Sequence, residues 1–282
     1  MQEIRIYSPD SGVSSPLNLI KEIIKGFKDG RFLAYQLFVR DLKASVRQSF
    51  LGFFWHFIPA VAQALIWILL NSQKIVSVEN IPMTSYPAFA ITGTILWTLF
   101  TEGVTKPLTR FNAAKGMMVK LNFPREAIVL ATFYDLLFSL ILKLIVLVPA
   151  LILMGYYPEL DWLYAFAAIL PMYLLSLSFG LILVPLGMLY TDISRGLALV
   201  FQMLMYLSPV VFAFQDSGKM GIIHKLNPVS PFIEYIRSSL GNYTFNLQFE
   251  LMVWSIIGIV LFLISLVVLK ISLPAILERS GS

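Results

Sequence analysis

The chain has 282 residues, of which 58% are hydrophobic and 13% charged, with a formal net charge of +5 and a mean hydropathy of +0.79. One soluble core of this size cannot hide so much apolar surface, so we expect a membrane protein. With no cysteine and only His56 and His224, the sequence excludes thiolate catalysis and predicts neither a catalytic centre nor a metal site.

The first 52 residues carry many charges and no apolar run behind a short basic start, so we expect no cleavable signal peptide. Residues 16–38 place apolar side chains at a helical period with Lys21, Glu22, Lys25 and Lys28 between them. This pattern predicts an amphipathic helix that lies at the cytoplasmic membrane interface or packs on a partner domain.

A basic segment then leads into the first apolar stretch. Arg40, Lys43 and Arg47 either contact an anionic lipid or substrate head group at the entrance or serve as a topology signal. Gly52 lets the chain turn into the membrane, and Trp55 stands where an interfacial aromatic anchor is favoured.

Six stretches have about the 20 apolar residues that a membrane-spanning helix needs. They cover residues 53–70, 86–104, 127–154, 162–189, 197–214 and 251–271. The chain therefore divides into an N-terminal cytoplasmic segment (1–52), a six-span transmembrane domain (53–271) and a cytoplasmic tail (272–282).

The distribution of basic residues predicts the topology. Eight Lys and Arg residues precede the first span, five separate spans two and three, and Arg195, Lys270 and Arg279 bring one side to 16 of 21. By the positive-inside rule both termini are cytoplasmic. This topology explains the positive charge without nucleic acid as a partner.

The outer segment at 215–250 holds two semi-apolar stretches, 220–226 and 231–240, that are too short to span. Asn227-Pro228 and Ser230-Pro231 punctuate them. They are either short re-entrant helices or an ordinary outer loop packed on the bundle.

Three ionisable residues fall inside or at the edge of predicted spans, where charge is costly. We expect Glu102 at a helix end, and Asp135 and Lys143 with partners on other helices, since eight residues separate those two.

Motifs in a fixed order connect these features. Arg40-Asp41-Leu42-Lys43 is followed by Arg47-Gln48-Ser49-Phe50-Leu51-Gly52, Trp55 and Pro59. The later motifs are Phe123-Pro124-Arg125-Glu126, Tyr190-Thr191-Asp192, Ser208-Pro209, and Asn227-Pro228 with Arg237. Over about residues 36–240 the chain resembles the ABC type-2 transporter permeases that export polysaccharides, O-antigen and teichoic acid. It departs from their usual pattern at Ser45-Val46 and at Thr191.

The resemblance implies an all-helical fold of six spans per protomer, in a homodimeric channel in the bacterial cytoplasmic membrane. It also implies two copies of a nucleotide-binding subunit, which hold the ATP and Mg, and a short helix at 112–125 that docks into that subunit. The candidate coupling residues are Lys115, Lys120, Phe123, Pro124 and Arg125; from the residues themselves, Pro124 ends a helix and the basic side chains are solvated. No phosphate-binding Gly-x-x-x-x-Gly-Lys-Ser/Thr loop is present, so the chain is not predicted to be an enzyme.

Aromatic rings present flat faces along which sugars can slide. The candidate path residues are Phe54, Trp55, Trp67, Trp97, Phe100, Phe201 and Tyr206; lipid-facing packing is the alternative for each. Ser208, Pro209, Asn227, Pro228 and Arg237 form the candidate outer gate.

These observations predict a permease subunit that moves a lipid-linked polysaccharide of O-antigen, capsule or teichoic-acid type, driven by a separate ATPase. The alternative within transport is a type-2 ABC exporter of a drug or another lipid. A membrane enzyme should cluster His, Asp or Glu at one membrane face, and a secondary transporter should have two related halves; neither pattern is visible.

Overall fold

The computed structural model describes residues 16–47, 50–75 and 81–281, and within those ranges every regular element is a helix. Gln48 and Ser49 of the first motif lie outside the described residues. The helices are α1 (Pro16–Arg47), a 3-10 helix (Gly52–His56), α2 (Ile58–Ser72), α3 (Tyr86–Lys120), α4 (Glu126–Leu153), α5 (Leu160–Leu189), α6 (Asp192–Tyr206), α7 (Gly218–Leu226), α8 (Ser230–Gly241) and α9 (Gln248–Gly281).

Helix α5 is the centre of the bundle and packs most extensively on α9 and α3. Small residues allow this close approach, as is usual between membrane helices. A Cβ atom at Gly180 would lie 2.5 Å from the Val104 carbonyl oxygen of α3. On the other side, the Ser178 hydroxyl donates to the Gly258 carbonyl of α9 at 3.1 Å.

Helix α3 corrects the second predicted span, which ended at residue 104. The helix begins after Ser85, whose side chain accepts from the Ala88 N–H, and continues without interruption to Lys120. Glu102 therefore lies in the middle of a helix, and the prediction that it stands at a helix end is wrong. Lys106 and Arg110, expected in a loop, are helical as well.

Helix α1 confirms the helix predicted over 16–38 and extends it to Arg47. It crosses the start of α4, where Gly30 lies against Ala127 and Ala34 is fully buried. Ile20, Ile24 and Phe32 remain exposed. A helix that is packed on one side and carries exposed apolar residues on another suits a membrane surface.

Helices α4, α5 and α9 are long and apolar enough to cross a membrane. The first and fifth predicted spans have different bounds in the structure: the 3-10 helix occupies 52–56 before α2 begins at Ile58, and α6 begins at Asp192 and ends at Tyr206. With 15 residues each, α2 and α6 extend about 22 Å. The six-span arrangement stays a prediction.

Gly52 makes the turn that the sequence predicts, since its φ of 48° lies in the left-handed region that glycine tolerates best. In the outer segment, α7 and α8 confirm two short helices separated at Asn227-Pro228, and α8 packs on α5 and α3. Their depth in a membrane stays a prediction.

Candidate functional site

Two groups of aromatic rings line the contacts of α6 with α2 and α3. Trp67 of α2 makes edge contacts with Tyr206 and Phe212, at centroid distances of 6.2 and 5.4 Å. Phe201 of α6 contacts Trp97 and Phe100 of α3 at 6.2 and 6.4 Å. The structure thus brings five of the seven candidate path residues onto neighbouring helices.

Exposure separates the candidate path residues further. Trp97 and Phe100 are buried, so within a single chain they serve the packing of α3 against α6. Tyr206 is 52% exposed, and Phe54 and Trp55 are similarly exposed on the 3-10 helix. Only the exposed rings are free to contact a substrate without displacement of a neighbour.

Arg237 organises the candidate outer gate. Its side chain is fully buried and its guanidinium lies 3.5 Å above the centre of the Phe89 ring. It donates to the Pro209 carbonyl at 2.5 Å, to the Phe89 carbonyl at 2.8 Å and to the Val210 carbonyl. One arginine therefore holds the chain after α6 against α3.

Glu234 is the carboxylate partner of Arg237. Its Oε1 atom lies 3.5 Å from Arg237 Nη1, and its Oε2 atom accepts from the Tyr243 hydroxyl at 3.3 Å. Gly93 leaves the room for this arrangement, because a Cβ atom there would collide with Arg237 Nη2 and the Val210 carbonyl. Neither Glu234 nor Gly93 was a candidate from the sequence.

Ser208 and Asn227 join the end of α6 to the turn between α7 and α8. The Asn227 amide donates to Ser208 Oγ at 2.7 Å, and Ser208 Oγ donates to the Leu204 carbonyl at 2.7 Å. Asn227 Oδ1 also accepts from the Val229 N–H at 3.0 Å, across Pro228. All five candidate gate residues therefore belong to one small region, held by Arg237 and Asn227.

A buried histidine lies beside this region. The His224 ring of α7 lies 5.4 Å from the Phe214 ring in a tilted arrangement, and its Nδ1 atom accepts from the Gln215 N–H at 3.0 Å. Burial lowers the pKa of His224 below its ordinary value of 6.5. Nδ1 can accept only in the neutral form, so the outer segment is built around an uncharged imidazole.

The outer segment should therefore lose stability in acid. In the unfolded chain His224 takes up a proton near pH 6.5, whereas in the folded protein it does so only at a lower pH. The stability that neutral His224 contributes is therefore complete above pH 6.5 and is lost as the pH falls through the lowered pKa. We expect a slope of at most about 1.4 kcal/mol per pH unit. Thermal unfolding at several pH values, for wild type and for His224→Asn, measures this slope; the asparagine keeps a hydrogen-bond acceptor but does not titrate. An equal slope in both proteins would contradict the role of His224.

The candidate coupling residues lie at the tip between α3 and α4. The separate docking helix expected at 112–125 is not there: α3 continues to Lys120, and residues 121–124 carry no regular structure. The prediction that Pro124 ends a helix is wrong, because α3 has already ended four residues earlier. A pocket of about 220 Å³ at this tip includes Lys120, Phe123 and Arg125 among its lining residues.

Lys115 is only partly exposed, whereas the sequence predicts a solvated side chain. Its ammonium donates to the Met188 carbonyl at 3.5 Å, while the Asn112 amide donates to the Gly187 carbonyl at 3.2 Å. These carbonyls end α5 and have no partner within that helix. The last turns of α3 therefore fix the end of α5.

The candidate entrance cations differ in their surroundings. Lys43 and Arg47 are exposed at the end of α1. Arg40 is 60% exposed and pairs with Asp41 at 2.7 Å, and Asp41 also lies 3.4 Å from Arg110 of α3. Arg40 is thus the entrance cation nearest to the helix bundle.

Asp41 begins a series of charges that runs into the bundle, which we call the ionic ladder. The ladder consists of Asp41, Arg110, Asp135, Lys106, Glu102, Ser139 and Lys143. At its inner end Lys143 is fully buried, donates to Glu102 at 2.6 Å and to Ser139 at 2.8 Å, and the Ser139 hydroxyl donates to Glu102 at 2.6 Å. Asp135 and Lys143 do not pair directly but both face α3, in accordance with the expected interhelical partners.

The spacing of the ladder was visible in the sequence. Glu102, Lys106 and Arg110 follow each other at intervals of four, and so do Asp135, Ser139 and Lys143. Residues four apart lie on one helical face, so each helix presents a polar stripe to the other. Opposite charges on two such stripes are the signal that could have identified the ladder.

The profile of the ABC-2 type transporter family matches residues 33–240. The chain belongs to this family. The match includes the exposed aromatic rings, the ionic ladder and the whole outer gate up to Leu240, so the features described above lie within the ABC-2 domain.

Two curated proteins are similar to this ABC-2 family member. The O-antigen export system permease protein RfbA of Klebsiella pneumoniae is 25% identical over 212 residues, which cover 74% of this chain and 80% of that protein. The protein of the same name from Myxococcus xanthus is 24% identical over 202 residues, which cover 71% of this chain and 76% of that protein.

Proposed function

We propose that this chain is the permease subunit of an ABC exporter that moves a lipid-linked polysaccharide of O-antigen, capsule or teichoic-acid type across the bacterial cytoplasmic membrane. The observation that carries the proposal is the ABC-2 family match over 33–240, together with two similar proteins that are both named O-antigen export permeases. In this proposal two copies form the channel, each protomer spans the membrane six times, and both termini are cytoplasmic.

A separate nucleotide-binding subunit supplies the energy. Two copies of it bind ATP and Mg and dock at the tip between α3 and α4, where Lys120, Phe123 and Arg125 line a pocket. Movement of this tip is transmitted to α5 through the hydrogen bonds of Asn112 and Lys115 to the end of that helix. It reaches α1 through the ionic ladder, so α1, α3 and α4 respond together.

The substrate passes along exposed aromatic rings, which offer apolar faces to sugars without fixing their position. Tyr206, Phe54 and Trp55 meet this requirement. The outer segment, held by Arg237 and Asn227, closes the external end until the helices separate.

Ring removal from Tyr206 should therefore lower transport with only a small loss of stability. We expect Tyr206→Ala to reduce glycan export several-fold, while the free energy of unfolding falls by no more than about 1.5 kcal/mol from loss of the edge contact with Trp67. Tyr164→Ala is the matched control, since Tyr164 of α5 is equally exposed but lies outside the proposed path. Equal transport in the two variants would remove Tyr206 from the path.

Liposome ATPase measurements test the proposed function. The chain is purified alone and then together with the ABC ATPase encoded beside its gene, and hydrolysis is measured with and without lipid-linked glycan. We expect no hydrolysis by the chain alone and glycan-stimulated hydrolysis by the pair. Stimulation by a drug or another lipid instead would favour the alternative exporter, and failure to form a complex with an ABC ATPase would contradict both.

A further inference from the structure

A cleft of about 260 Å³ lies where α1, α3 and α4 meet. Its charged lining residues are Arg40 and Asp41 from α1, Lys106 and Arg110 from α3, and Asp135 from α4. Ala113 of α3 also lines it and is exposed, so it stands at an open side of the cleft. The space is far larger than the roughly 30 Å³ that one water molecule occupies.

The donors in this cleft are not fully used. Lys106 Nζ and Arg110 Nη1 are buried, yet among the residues that the structure describes they have no hydrogen-bond partner. Their ion pairs are long: 3.3 and 3.6 Å from Lys106 to Asp135 and Glu102, and 3.4 and 3.6 Å from Arg110 to Asp41 and Asp135. Direct charge-assisted bonds measure about 2.7–2.9 Å, so these pairs leave donor capacity on Lys106 and Arg110 for another acceptor in the cleft.

The charge of the lining favours an anion. Three cations, Arg40, Lys106 and Arg110, face two carboxylates, so one positive charge is in excess. Water in this space would not balance that charge. Guanidinium and ammonium groups together are the usual partners of phosphate oxygens.

The position of the cleft points to lipids as the source of the anion. Its α1 wall belongs to the same helix that exposes Ile20, Ile24 and Phe32, which suits the membrane interface where lipid phosphates are concentrated. Arg40, 60% exposed, stands at the mouth. A head group can therefore reach Lys106 and Arg110 while its chains stay in the bilayer.

We propose that this cleft binds the phosphate of an anionic lipid, with Lys106 and Arg110 as inner donors and Arg40 at the mouth. The lipid is either a phospholipid or a polyprenyl diphosphate of the kind that carries a glycan. Both present phosphate oxygens to the cleft. The site does not depend on the proposed export function, because it requires only this chain and a membrane.

Native mass spectrometry of the full-length chain in detergent tests the site. The probes are phosphatidylglycerol, a polyprenyl diphosphate, and diacylglycerol, which has no phosphate. We expect adducts with one or both phosphate lipids and a loss of affinity of about tenfold in Ala113→Phe, which fills the cleft without removing an ion pair. The better-bound phosphate lipid identifies the source.

Two control variants separate the site from general effects. Gly196→Phe adds the same ring on α6, where nothing lies within 4 Å of the added Cβ, and should bind lipid as wild type does. Arg40→Gln should weaken binding several-fold, while Arg195→Gln, 84% exposed on α6, should not. Diacylglycerol adducts equal to those of phosphatidylglycerol, or equal binding in the two Phe variants, would show a cleft that holds water only.

Discussion

Glu102→Gln should lower the free energy of unfolding by about 3–5 kcal/mol, the loss expected when one partner of a buried ion pair is removed. Lys143 would keep its charge at a site with no exposure, and its two hydrogen-bond partners among the described residues would be the Ser139 hydroxyl and a neutral amide. Helix α4 is among the helices apolar enough to span a membrane, where an unpaired ammonium is costly. Thermal unfolding in detergent micelles measures the loss.

The double variant Glu102→Gln with Lys143→Met separates the charge from the packing. It removes both charges and leaves an aliphatic chain of similar length in the Lys143 position, so we expect it to recover most of the lost stability. Asp192→Asn, at the exposed pair with Arg195, should cause no measurable change. A double variant as unstable as the single one would show that the geometry, and not the unpaired charge, determines the loss.

Gly93→Ala should detach the outer segment from α3. The added methyl group takes the space of Arg237 Nη2 and of the Val210 carbonyl, and the carbonyl is backbone that cannot rotate away. Displacement of Arg237 breaks its hydrogen bonds to buried carbonyls, and overpacking adds strain. We therefore expect the free energy of unfolding to fall by about 3 kcal/mol. Gly116→Ala is the matched control on the same helix, since nothing lies within 4 Å of its added Cβ.

Cysteine labelling detects this displacement directly, because the native chain contains no cysteine. Val229→Cys places a thiol within the outer segment, between α7 and α8, at a position that is 2% exposed. We expect its alkylation to be at least about tenfold faster in the Gly93→Ala background than in the Gly116→Ala background, because local opening exposes the thiol. Equal rates would mean that Gly93 does not position Arg237.

The sequence predicted those parts of the fold that depend on local pattern. Apolar length identified the helices that became α4, α5 and α9, and Asn227-Pro228 separated α7 from α8 as expected. Each of these features is specified by neighbouring residues in the chain. The fifth predicted span was not correct at its end: α6 ends at Tyr206, two residues before Ser208-Pro209, and does not continue to residue 214.

The length of α3 could not be predicted in the same way. Hydropathy falls after Val104 because Lys106 and Arg110 count as exposed charges, so the sequence pattern predicts that the span ends there. In the fold both pair with Asp135 of α4, and Arg110 pairs with Asp41 of α1 as well. A hydropathy window covers only neighbouring residues, so it cannot detect that a distant segment neutralises these charges.

Arg237 shows the same limit at the outer gate. Its motif made it a candidate, but its partners are carbonyls of Pro209, Val210 and Phe89, which any residue would provide. Every residue has a backbone carbonyl, so the sequence cannot show which carbonyls Arg237 binds. The contact becomes evident only from the packing of α8 on α3. Gly93 was missed for the same reason, since its role depends on what lies opposite.

Export into sealed vesicles tests the central proposal most directly. The chain and its ABC ATPase are reconstituted with labelled lipid-linked glycan, ATP is added outside, and the fraction of glycan protected from an external glycosidase is measured. The account predicts that the protected fraction rises with time only when ATP, the ATPase and this chain are all present. Glycan that stays fully accessible while the complex hydrolyses ATP would contradict it.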